Sequence, residues 1–111
     1  MADSLDDLAA ASRRFADARG WGPFHTPKNL ASALVVEAGE LLEPFQWLTD
    51  AQSLALPQAT RDHVAGEMAD VLLYLVQMAS VMGVDLVEAA RRKMAVNEVR
   101  FPTEWGGEVH P

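Results

Sequence analysis

The chain contains no cysteine. Disulfides, a thiolate nucleophile and a zinc–sulfur centre are therefore excluded, although the missing thiols do not by themselves identify a compartment. Positive charge is also scarce: 9 Lys and Arg stand against 16 Asp and Glu, a formal net charge of −7. Such a surface on average repels a nucleic-acid polymer or an anionic membrane, so neither is expected as the main partner, while an anionic small molecule could still bind through metal ions. Internal repeats and low-complexity tracts are lacking, and no uncharged apolar run reaches the roughly 20 residues of a membrane span. The start, Met1-Ala2-Asp3-Ser4, lacks the basic and apolar regions of a secretory signal, and cytoplasmic residence is the resulting expectation.

What remains is globular in composition. The 111 residues are 50% hydrophobic and 23% charged, enough for one hydrophobic core and too few for two, so a single domain is expected. Local signals predict an all-α chain of four main helices, with a core over about residues 5–102 and a tail over 103–111. Ser4 is placed to cap a first helix from Leu5 to Arg19, whose apolar face is Leu5, Leu8, Ala9, Phe15 and Ala16 with Ser12, and Gly20 is free to close it in the left-handed conformation. The aromatic loop Trp21-Gly22-Pro23-Phe24-His25 follows and needs a packing partner or a ligand. Thr26 as N-cap and Pro27 at the first helical position open a second helix with the stripe Leu30, Ala33, Leu34, Leu41, Leu42 and Phe45. Pro44 should end or kink it near Glu43. Residues 49–57 read as a connector with at most one short helical turn.

A third long helix is predicted from Gln58 to Met82, closed by Gly83. Its second half, including Val71, Leu72, Leu75, Val76, Met78, Val81 and Met82, is apolar nearly all round and cannot face one small core, which predicts burial between subunits. Asp85 and Glu88 resemble a capping box opening a last helix to about Val99, with Lys93, Asn97 and Arg100 on one face and Pro102 beyond its end.

Against this apolar background two acid pairs stand out, Glu37 with Glu40 and Glu67 with Asp70, and Glu43 extends the first. Three-residue spacing puts each pair on one helix face, about a turn apart. Like charges about 4 Å apart at an effective dielectric of 20 repel by about 4 kcal/mol, so four clustered carboxylates call for a cation or protons. All-oxygen donors suit Mg2+. A bland solvated face is an even match for either pair alone, and two pairs in apolar surroundings lower its weight. A di-iron bundle wants Glu-x-x-His, which neither pair supplies, since His63 lies four residues before Glu67. His63 and His110 read as structural or solvated, Trp47 and Tyr74 as core aromatics if they stood alone, and Lys93 and Arg100 as partners of a helix C-terminus. Gly39 between its acids suggests close helix packing or metal approach.

In order along the chain, Trp21-x-x-Phe24-His25-x-Pro27-Lys28-Asn29-Leu30, Glu37-x-Gly39-Glu40-Leu41-x-Glu43 with Phe45-Gln46-Trp47, Glu67-x-x-Asp70-Val71-Leu72-x-Tyr74-Leu75, and Lys93-x-x-x-Asn97-x-x-Arg100-Phe101-Pro102 form four blocks. Together they resemble the MazG-like, all-α nucleoside triphosphate pyrophosphohydrolases, most closely the dCTP pyrophosphatase branch. Leu48, where relatives can carry lysine, and Pro44, where they usually continue the helix, depart from the pattern. The resemblance implies a MazG-like helical bundle, assembled as a homo-oligomer (a dimer of dimers), that hydrolyses a nucleoside triphosphate, dCTP or a modified dCTP, to the monophosphate and pyrophosphate. It implies Mg2+ on Glu37, Glu40, Glu67 and Asp70. It also implies base or sugar contacts from His25, Asn29, Trp47, Tyr74 and Asn97, and phosphate contacts from Lys93 and Arg100.

In that chemistry Mg2+ offsets the charge of the triphosphate and acidifies a water that attacks the α-phosphorus. Glu37 or Glu40, with Glu43 behind, would orient or deprotonate the water, while Lys93 and Arg100 stabilise the leaving pyrophosphate. Two other readings stay open on the residues: a nucleotide sensor without turnover, and a structural helical oligomer whose acids line a solvated groove.

Overall fold

A computed structural model describes residues 4–103. Met1–Asp3 and the tail beyond Thr103, with Gly106, Gly107 and His110, lie outside the described residues. Five helices follow in order: α1 (Leu5–Ala18), α2 (Pro27–Leu42), the single-turn α3 (Asp50–Ser53), α4 (Gln58–Met82) and α5 (Leu86–Arg100), with a 3-10 turn at Gly22–Phe24 between α1 and α2. No strand occurs among the described residues.

Local chemistry explains the boundaries. The side chains of Ser4, Thr26 and Asp85 each accept a hydrogen bond from the backbone N–H three residues on, satisfying donors that the first turn leaves unpaired. α3 exists because Thr49 and Gln52 form a reciprocal capping box. At Asp85 only half of such a box forms: the Glu88 carboxylate reaches forward to Arg92 instead. Gly20 and Gly83 both take φ of +68°, the left-handed conformation that only glycine adopts cheaply. α2 ends at Leu42 with Glu43 as its C-cap, because Pro44 has no N–H for the next rung of the ladder.

α4 is the central strut, packed chiefly along α2 and next along α1. The buried apolar residues come from these three helices: Ala16, Leu30, Val64 and Val76, with Leu30 only 1% exposed. That is a thin core. Phe15 and Leu42, assigned by their periodicity to apolar faces, are exposed, and so in one chain are Leu72, Val81 and Met82 on the half of α4 expected to be covered by another subunit. α5 makes little contact with the other helices and carries exposed Val87, Met94, Val96 and Val99.

The dimensions agree with an opened-out bundle. The radius of gyration is 17.1 Å, against about 13 Å for a compact domain of this length. The accessible surface is 8696 Å², against about 6,000 Å² for a compact monomer of this mass. By length and composition α4 is apolar enough to cross a membrane, with a mean hydropathy of 1.4 over 18 residues, although Glu67 and Asp70 fall inside that stretch.

Candidate functional site

The close pairing of α2 with α4 brings the two acid pairs together. Carboxylate oxygens of Glu37, Glu67 and Asp70 all lie within 4.8 Å of one another, and Glu40 stands beside Glu37, where the Glu37 carboxyl can donate to it when protonated. Oε2 of Glu37 and Oε2 of Glu67 are both buried without a hydrogen-bond partner. A buried acceptor left unpaired is costly, so this arrangement lacks a positive or protonated component. Glu37 responds to this crowding: desolvation by burial first, then the hydrogen bond that its protonated form donates to Glu40 and repulsion by Glu40, Asp70 and Glu67, raise its pKa to about 7. Oxygen-only donors that repel one another and point buried lone pairs inward fit a hard divalent cation such as Mg2+.

His63, read from the sequence as structural or solvated, sits beside this cluster, its Nε2 3.6 Å from Oε1 of Glu67. Gly39 does not serve close packing within the chain: a Cβ there would meet nothing within 4 Å. Glu43 is exposed at the α2 C-cap and is not one of the clustered acids.

A cavity of about 380 Å³ adjoins the acids between α1, the 3-10 turn and α4, within the range of small-molecule sites. Asp70 belongs to both cavity and cluster. Phe15, Trp21, His25 and Tyr74 give the cavity an aromatic wall, with Phe15 and Trp21 edge to face at 5.7 Å and Trp21 and His25 tilted at 6.4 Å between ring centroids. The guanidinium of Arg19 lies over the Phe15 ring, 3.5 Å from its centroid, which pins that wall from outside. Asn29 does not line the cavity; its Nδ2 donates to the Phe24 carbonyl and braces the loop that presents His25.

His25 and Tyr74 thus line the cavity that shares Asp70 with the acid cluster, while Trp47, Lys93, Asn97 and Arg100 are not among the lining residues within one chain. Trp47 is 87% exposed, and Lys93 and Arg100 lie exposed on α5. Ser12, Phe15, Leu73 and Gln77 line the cavity without having been marked as site residues. For Gln77 a signal existed, since Asp70, Tyr74 and Gln77 follow i, i+4, i+7 along one face of α4. A larger cavity, about 650 Å³, opens between the start of α1 and the start of α5 and contains none of the clustered acids.

The MazG-like family model matches residues 33–110, more than half of the chain. The chain belongs to the MazG-like family. Within it, the chain is 43% identical over 101 residues to dCTP pyrophosphatase 1 of Mus musculus, covering 89% of this chain and 59% of that protein. Identity and coverage are the same for dCTP pyrophosphatase 1 of Homo sapiens. A dATP/dGTP diphosphohydrolase of cyanophage S-2L is 32% identical over 78 residues, covering 70% of this chain and 60% of that protein. This MazG-like chain therefore spans about 59% of the length of the mammalian relatives. Among solved structures, a pyrophosphatase from Archaeoglobus fulgidus superposes with a TM-score of 0.85 at 38% identity, covering 93% of this chain and 96% of that one.

Proposed function

We propose that this MazG-like chain is a Mg2+-dependent nucleoside triphosphate pyrophosphohydrolase that converts dCTP, or a modified dCTP, to the monophosphate and pyrophosphate. One observation carries the reading: three carboxylates converge with two unpartnered buried oxygens beside an aromatic cavity of nucleoside size. The similarity to proteins named for dCTP, dATP and dGTP hydrolysis supports the triphosphate class, and the mammalian relatives support the cytosine base.

Glu37, Glu67 and Asp70, with Glu40 beside them, would hold the cation. When bound, Mg2+ supplies charge neutralisation of the phosphates and a more acidic water. The chain's own groups do the rest. A carboxylate of the Glu37–Glu40 pair accepts the proton of the attacking water, whose oxygen forms the new bond to the α-phosphorus as the bond to the bridging oxygen breaks and pyrophosphate leaves. Trp21, His25 and Tyr74 hold the base and exclude water from its faces. Lys93 and Arg100 serve the leaving pyrophosphate.

We assign the working unit as a homo-oligomer, a dimer of dimers. The exposed apolar faces of α4 and α5 support this, and a second copy would also bring basic side chains that the cavity of one chain lacks. The test is incubation of the purified protein with Mg2+ and each triphosphate, with product analysis. Monophosphate and pyrophosphate are expected, and Glu40→Gln and Asp70→Asn should each lose most turnover while remaining folded. Bound but unchanged nucleotide, or full activity in both variants, overturns the reading.

A further inference from the structure

One basic side chain stands at the acid cluster within a single chain, and the mechanism above gives it no task. Nε2 of His63 lies 3.6 Å from Oε1 of Glu67, longer than a hydrogen bond, and the His63 side chain is 61% exposed. Among the described residues the ion-pair contacts are His63 with Glu67 and Arg92 with Glu88, so no Lys or Arg is paired with the cluster. His63, Glu67, Asp70 and Tyr74 follow i, i+4, i+7, i+11 along α4. At about 100° per residue they fall within an arc of roughly 60°, one stripe along the helix.

The stripe has an order. The aromatic cavity takes its α4 residues from Asp70 to Gln77, Glu67 and Asp70 belong to the acid cluster, and His63 lies one turn beyond Glu67 on the side away from the cavity. A nucleoside triphosphate is a long molecule with its base at one end and its phosphates at the other. With the base against Tyr74 and the α-phosphate at the acids, the remaining phosphates continue along the stripe past Glu67. The rise from Glu67 to His63 is about 6 Å, comparable to two phosphoryl units, which puts the imidazole within reach of the β- and γ-phosphates.

We propose that His63 binds the terminal phosphates of the substrate, its ring N–H donating to the oxygens that leave as pyrophosphate. The proposal rests on the pyrophosphohydrolase reading of the site and deepens it. Because the ring is exposed and not hydrogen-bonded to Glu67, turning it toward a phosphate breaks no existing bond. The contact comes from the same chain as the acids, whereas Lys93 and Arg100 do not line the cavity of one chain.

The test compares the Mg2+-loaded full chain with His63→Ala and His63→Gln. Calorimetry gives the affinity for dCMP and for α,β-methylene-dCTP, a triphosphate that cannot be cleaved between its α and β phosphorus atoms, and kcat/KM is measured for dCTP. A titration without nucleotide gives the affinity for Mg2+. His63→Ala should weaken the analogue about tenfold or more, the scale of a hydrogen bond to a charged group, while dCMP and Mg2+ stay within about twofold of wild type. kcat/KM for dCTP should fall by a similar factor. His63→Gln keeps an N–H donor and should recover most of the loss. Circular dichroism establishes that each variant is folded, and His63→Leu replaces His63→Ala if the latter is not.

An unchanged affinity for the analogue in His63→Ala overturns the proposal, as does an equal loss for dCMP. A loss of Mg2+ affinity of the same size also overturns it, since His63 would then act through Glu67, and a His63→Gln variant as weak as His63→Ala removes the donor role. If wild type binds the analogue in a His63-dependent way yet does not hydrolyse dCTP, the pyrophosphohydrolase reading fails and the phosphate contact stands. Wild type that binds the analogue no more tightly than dCMP overturns the assignment whatever the turnover.

Discussion

Lowering the pH from 8 to 6 should weaken Mg2+ binding about tenfold, and Glu37 is the reason. Its pKa is raised to about 7 by burial, by the hydrogen bond that its protonated form donates to Glu40 and by the charges of Glu40, Asp70 and Glu67. Only the ionised carboxylate is a ligand, so apparent affinity falls by the factor 1 + 10^(pKa − pH). With a pKa near 7 that factor is about 11 at pH 6 and about 1.1 at pH 8, a ratio of about ten. Titration calorimetry in two buffers of different ionisation enthalpy reads the same linkage as protons: about one released per site at pH 6 and close to none at pH 8.

The sign for stability in the absence of metal is opposite to that of an ordinary paired carboxylate. A folded-state pKa above the unfolded value means that the folded chain binds the extra proton between about pH 4.5 and 7. Stability therefore falls as pH rises through that window, and the metal-free protein should be more stable at pH 6 than at pH 8. Saturating Mg2+ should abolish the difference, since it holds the carboxyl ionised in the folded chain, as it already is in the unfolded chain at both pH values. Glu37→Gln should abolish both the proton release and the acid-side stabilisation. Equal Mg2+ affinity at pH 6 and 8 in the native protein, or unchanged proton release in Glu37→Gln, refutes the assignment of the linkage to this carboxyl.

Two further outcomes follow from the packing. Leu30→Ala removes the only large side chain that is fully buried among the described residues, and should cost about 2–5 kcal/mol in denaturant unfolding at fixed protein concentration; a loss under 1 kcal/mol would mean that this core does not hold the bundle. Sedimentation equilibrium should return a multiple of the 12.1 kDa chain mass. Val99→Asp tests the same point. At 84% exposed in one chain it would be nearly neutral if it faced water, within about 0.5 kcal/mol, and should shift the protein to smaller species if α5 is covered by another copy. A monomeric wild type removes the oligomer assignment.

The helices were legible from residues whose effect is local. Ser4, Thr26 and Asp85 cap what they precede, Gly20 and Gly83 close what they follow, and Pro44 stops α2, because each acts through hydrogen bonds or sterics within a turn of itself. The acids were legible for a related reason: three-residue spacing defines a face whatever the tertiary structure. Other features depend on what lies opposite. Periodicity gives Phe15 and Leu42 an apolar face without naming the surface that meets it, and both are exposed in one chain. Glu88 could complete the Asp85 box or pair with Arg92, and spacing alone does not decide between them. Lys93, Asn97 and Arg100 share a face of α5, but no local rule says whose phosphates they meet. Spacing puts Gln77 on the face of Asp70 and Tyr74, but only the aromatic cavity beside that face shows that the position lines a site.

α4 shows why such a chain tolerates acids in its most apolar helix. A compact monomer would bury that helix all round, and Glu67 and Asp70 would then sit in a core, each with a large desolvation cost. Here the helix is covered by α2 and α1, and the acids lie where the α2 acids face them, so the cost is concentrated at one cluster that a dication can relieve. The rest of its apolar surface is left uncovered: Leu72, Val81 and Met82 stay exposed. The surface in excess of a compact monomer is about 2,700 Å², several times the roughly 800 Å² per partner of an ordinary interface. Filling that surface from within would need a larger core than the four residues buried among those described supply. Covering it with further copies, as in the oligomer proposed above, would need no more chain. The thin core of one chain and the exposed apolar residues of α4 and α5 are thus two sides of the same arrangement.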